Sequence, residues 1–190
     1  MDKFFHIRML MGIILGLSIT HLLKGLVKFV EHPGKVKTYW IHLLWVFYLF
    51  LLIAHFWWWE FSLHTITNWN FLSYFYLIVY TAFFFVNASL LFPEQINDYT
   101  GYEDYFYSRR RWFFGTLGFT FLLDIIDTLL KGVNHMTYLG YEYLAYIFLH
   151  VIGCLLAMRV RDERFHGAFV IVVIVYQIIF IYRLYFTLES

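Results

Sequence analysis

The sequence predicts an all-α integral membrane protein of six transmembrane helices, and three observations carry that prediction. Of its 190 residues, 62% are hydrophobic and only 14% charged. A soluble domain carries roughly 25% charged residues, so this chain lacks the polar surface to face water. Six apolar windows come close to or exceed the roughly 20 residues that cross a bilayer as a helix. The connections between them are short, and both prolines, Pro33 and Pro93, fall just past window ends, where a helix cannot continue.

The first window, 7–30, follows Lys3 and has Arg8 near its start, and no small-residue cleavage site comes after it. It is read as an uncleaved first span, not a signal peptide. Windows 39–59 and 71–92 are separated by "EFSLHTITNWN", and "PEQINDYTGYEDYFYSRRR" leads to 112–130. "KGVNHMT" and "RVRDERFHG" then bound 138–158 and 168–186. The predicted organisation is a first three-helix half (1–92), a cytoplasmic connecting loop (93–111) and a second three-helix half (112–190).

Lys and Arg favour the cytoplasmic side of a membrane. The first, third and fifth connections and their flanks hold ten: Lys24, Lys28, Lys35, Lys37, Arg109, Arg110, Arg111, Arg159, Arg161 and Arg164. The other side holds four, Lys3, Arg8, Lys131 and Arg183, which predicts that both termini lie outside. Trp57, Trp58, Trp59 and Trp69 then form an outer aromatic belt, with Trp40 and Trp112 near the inner interface. The net charge of +1 provides no field to draw nucleic acid. The single cysteine, Cys154, excludes an internal disulfide.

"LLKG" occurs at Leu22–Gly25 and again at Leu129–Gly132, and "RMLMG" echoes "RWFFG" upstream with a slip of four residues. If spans one to three repeat as four to six, the odd number of crossings makes it a 3+3 inverted repeat, a plan that often places a transport site between the halves.

The sharpest signal is "LLDIIDTLLKG" in the fourth window. Asp124, Asp127 and Lys131 fall within a roughly 60° arc of one helix face. Each Asp costs about 2.5–3.5 kcal/mol near a helix centre, so both carboxylates should face protein or water. Lys131 is expected near the outer surface with its ammonium snorkelling to water. The plain alternative is an Asp–Lys or Asp–His pair that only fixes packing.

Other polar residues extend the stripe into a candidate path. His21, His42 and His150 belong to the inner half by depth, and His55 to the outer half near Asp127. Ser18, Lys24 and Lys28 share a face with His21, and Glu60, Asn87, Ser89, Gln177 and Arg183 add isolated polar points. The leading expectation is a small channel or transporter that moves protons, a cation or a small solute on the Asp124/Asp127 pair. Its transport or proton-binding residues are then Asp124, Asp127, Lys131, His21, His55, His42 and His150.

Two other classes stay open. His42 and His55 stand 13 residues apart on one span, and with His21 or His150 opposite they offer bis-histidine ligation of haem b in a membrane redox protein. A structural or auxiliary subunit is the third class, with Gly12 and Gly16 of "GIILG" a small-residue face for homo-oligomer contact. The sequence holds no HExxH and no GxSxG, which weighs against an enzyme. His55, Glu60 and His64 lie close together, but their spacing fits no helical metal-ligand face, so interface anchoring is the first reading. The stretch "LLFPEQ…YEDYFYSRRRWFFG…DTLLKG" resembles a group of small six-span bacterial inner-membrane proteins. The resemblance implies that location and carries over no site residues.

Overall fold

Buried positions on the first helix recur every three or four residues, at Ile7, Met11, Leu15, Ser18, Leu22 and Gly25. That is the stripe a helix presents when one face packs on protein and the rest meets lipid. The computed structural model describes residues 3–32, 34, 37–66 and 68–187, which leaves Pro33 and Lys35 outside the described residues. The six helices are α1 (Lys3–Glu31), α2 (Trp40–Trp59), α3 (Phe71–Leu91), α4 (Tyr102–Leu130), α5 (Val133–Arg159) and α6 (Glu163–Tyr182). All six are long and apolar enough to cross a membrane.

Local chemistry sets several boundaries. Asn70 and Asp162 cap α3 and α6, each accepting a backbone N–H, from Ser73 at 2.8 Å and from Phe165 at 2.9 Å. A 3₁₀ segment, Glu60–Thr65, extends α2, and a π turn, Arg183–Thr187, extends α6. Helix α4 begins ten residues before the predicted window, so Arg109, Arg110 and Arg111 stand on a helix and not in a connecting loop. At 29 residues and about 1.5 Å per residue, α4 is longer than the roughly 30 Å hydrocarbon layer, and its polar first turns extend beyond the apolar span. Helix α5 also starts early, but its first turns are set off by a kink at Gly140, whose φ of 65° lies in the left-handed region that favours glycine.

Helices α2 and α4 are the most enclosed, each half buried over its apolar window. Helix α2 touches α1, α3, α4 and α6. Within the first half the main packing is α1 on α3; within the second it is α4 on α5. The two halves therefore do not share one packing plan.

Both chain ends lie on one face of the bundle, called the terminal face below. There Arg8 of α1 meets Trp57 of α2 and Phe61 just after it, and Trp59 meets His135 of α5. On the opposite face Trp40 meets Glu163, and Phe29 packs on Tyr102. Gly12 faces Trp57, where a Cβ would come within 2.9 Å of the indole, whereas Gly16 has open space beside it. One of the two glycines is thus already used inside the chain, so they do not form a continuous free face.

Candidate functional site

The acidic stripe of α4 turns inward. Asp127 is fully buried, and Asp124 borders a central cavity of about 40 Å³. A buried water needs roughly 10–15 Å³, so this space is sized for a few waters. Helices α2 to α6 all contribute to its wall, which is mostly aromatic, with His55, Tyr80, Thr120, Tyr143 and Tyr146 as polar groups beside Asp124.

Both Asp124 oxygens are used. Tyr80 donates to Oδ1 at 2.7 Å and Tyr143 to Oδ2 at 2.8 Å, while Thr128 donates to the Tyr143 oxygen at 2.8 Å. This is a carboxylate held by two phenol donors from two neighbouring helices. On α3 and α4, Thr116 donates to Asn87 at 2.8 Å and Asn87 to Thr120 at 3.0 Å. These bonds carry polar groups from the cavity wall toward the opposite face.

Across the cavity a second chain runs through Tyr146, Gln177, His55 and Tyr185. Tyr146 donates to Gln177 Oε1 at 2.6 Å, so the Gln177 amide nitrogen faces His55 Nδ1 at 3.1 Å. Nδ1 then accepts, the ring proton sits on Nε2, and Nε2 donates to the Tyr185 hydroxyl at 3.2 Å. Turning the Gln177 amide over reverses every bond: Nδ1 donates, and Tyr185 donates to Nε2. Both arrangements keep the three hydrogen bonds of the chain. Tyr185 and Trp59 also line a wider pocket of about 680 Å³ on the terminal face, alongside Arg8, Trp57 and Trp58. His55 thus stands between that vestibule and the central cavity.

One turn beyond Asp124 the pattern differs. Lys131 donates to Asp127 and, at 2.8 Å, to Glu60 Oε1, under the ring of Trp59 at 5.1 Å. The expected snorkelling does not occur, for the Lys131 side chain is only 1% exposed. The physical reason is Glu60: the 3₁₀ segment after α2 folds this acid inward, and two buried carboxylates bind the ammonium better than the interface would.

The remaining histidines go elsewhere. His21 and His42 bond the last carbonyls of the α3 end, Phe92 at 3.0 Å and Leu91 at 2.7 Å, groups that a helix leaves without internal partners. His150 bonds the Tyr146 carbonyl of its own helix at 2.7 Å. Of the four histidines considered as haem ligands, only His55 lines the central cavity. His64 bonds Phe61, away from both His55 and Glu60, and among the described residues no group of three or more His, Cys, Asp or Glu could hold a metal. Ser18 bonds its own helix, and Lys24 and Lys28 are exposed. The structure therefore gathers Asp124 and His55 at one cavity, with Asp127 and Lys131 next to it; His150 packs behind the wall on Phe121 and Tyr146 at 4.5 and 4.3 Å, and His21 and His42 lie apart.

Tyr80, Tyr143 and Tyr146 carry no sequence signal, because tyrosine is common throughout this chain, with 16 in all. Glu60 had one: an acid directly after a triple tryptophan at a membrane interface.

Fold and site together define a multi-pass membrane protein with six spans and a buried acidic cluster. No protein-family model matches the chain, and no curated protein or solved structure is similar to it.

Proposed function

We propose that this protein is a small channel or transporter of a bacterial inner membrane, with both termini on the periplasmic side, and that Asp124 is its central binding group. The observation that carries the reading is the position of Asp124. A carboxylate within a membrane helix lies on an internal cavity shared by five helices, with a histidine in the same wall. Intramembrane acids placed in this way mark ion and proton paths.

Among a proton, a cation and a small solute, the proton fits best. The cavity is water-sized, and the Tyr146–Gln177–His55–Tyr185 chain holds a titratable imidazole, His55, at its wall with a hydrogen bond at each ring nitrogen. Asp127 extends the acidic stripe toward the terminal face. An inverted repeat is not needed for this reading, since it rests on the residues of the cavity wall, which five of the six helices supply.

The test is reconstitution in liposomes with an internal pH-sensitive dye and an imposed membrane potential. Wild-type protein is expected to pass protons, and Asp124→Asn to cut that flux by at least about tenfold, the scale of losing a positioned proton-transfer group. Equal flux in the two proteins, matched for insertion, removes Asp124 from the path.

A further inference from the structure

The Glu60–Asp127–Lys131 cluster has a hydrogen-bond deficit. Glu60 Oε2 and Asp127 Oδ1 are both buried and have no hydrogen-bond partner among the described residues. Glu60 is 4% exposed and Asp127 0%. Their other oxygens meet on a single ammonium, which sets the two carboxylates side by side. A carboxylate oxygen is only an acceptor, so two facing carboxylates cannot satisfy each other without a donor. The charge count points the same way: two carboxylates and one ammonium leave one uncompensated negative charge in a buried site, an arrangement proteins avoid.

One proton corrects both faults. We infer that Glu60 and Asp127 share a single proton between their free oxygens, making the cluster a neutral proton-binding site separate from Asp124. The other groups turned toward it are Asp124 one helical turn away, Tyr76 and Tyr80 of α3, His55 of α2 and His135 of α5. None is paired with the extra charge: Tyr80 donates to Asp124, Tyr76 donates to the Leu123 carbonyl, His55 is bound to Gln177 and Tyr185, and the His135 ring packs on Trp59 at 5.1 Å, with neither a hydrogen bond nor an ion pair to Glu60 or Asp127. This site deepens the transport reading by adding a second proton store on the terminal-face side of Asp124, yet its geometry does not depend on that reading.

Infrared spectroscopy of the full-length protein in lipid tests it. Near neutral pH the wild type is expected to show the carbonyl stretch of a neutral carboxylic acid, shifted by exchange into heavy water. Glu60→Gln and Asp127→Asn each replace the shared proton with an amide donor, so both should fold with a thermal midpoint close to wild type and both should lose the band. Asp124→Asn should keep it. Absence of the band in wild type, its survival in either amide variant, or its loss in Asp124→Asn overturns the inference. Proton flux is read separately, so a retained band with flux unaffected by Asp124→Asn would discard the transport reading and leave the shared proton standing.

Discussion

Lys131 illustrates how one side chain changes the meaning of its neighbours. A lysine at the end of a membrane helix ordinarily reaches for water; here its ammonium joins α4 to the segment after α2 through Asp127 and Glu60. Removing one partner of a buried ion pair costs about 3–5 kcal/mol, because the remaining charge stays buried. Lys131→Met should therefore lower stability by about that amount, measured by denaturant unfolding in detergent micelles. Glu60→Gln, which keeps a donor in place and removes a charge, should be far milder. The exposed Arg183–Glu142 pair at 2.6 Å is in high dielectric and adds little by comparison.

The two "LLKG" stretches show how far a sequence echo reaches. In the first, Leu22 is buried and Lys24 exposed, and Gly25 is mid-helix against Phe92, whose ring atoms would lie 2.2 Å from an added Cβ. In the second, Lys131 is buried and Gly132 leaves the helix with a φ of 110°. The same four residues thus serve close packing in α1 and a chain turn after α4. Gly25→Ala should destabilise by about 1–3 kcal/mol through overpacking. Adding Phe92→Leu, which removes the ring from the contact, should recover a good part of that loss. A double-mutant cycle of unfolding free energies checks this, and additivity of the two changes would contradict the contact. Helix edges carry the same lesson. The apolar window locates α4 well from residue 112 onward, but its first ten residues are polar and aromatic, and only their burial against other helices, seen for Tyr102, Tyr105, Phe106 and Tyr107, extends the helix through them.

At the scale of the whole molecule, the described basic residues of the first, third and fifth connections and their flanks all lie on the face opposite the termini. Single cysteines replacing Lys28 or Arg161, in a Cys154→Ala background, should be labelled by a membrane-impermeant thiol reagent only after cells are opened. A cysteine replacing Ser62 or His64 should be labelled in spheroplasts. The reverse pattern would invert the proposed orientation and put the vestibule on the cytoplasmic side. The sequence by itself determined that there are six spans, where they run, and that the acids of α4 avoid lipid, because hydrophobic length and the cost of a bare charge in hydrocarbon are local properties of the chain. Only the tertiary structure decided which polar groups meet. His55 joins Gln177 and Tyr185 at 3.1 and 3.2 Å, His21 and His42 go to the end of α3, and Glu60 folds in to Lys131. Helical periodicity fixes the direction of a side chain on its own helix, but not which helix stands opposite, and that choice belongs to packing between segments far apart in the chain.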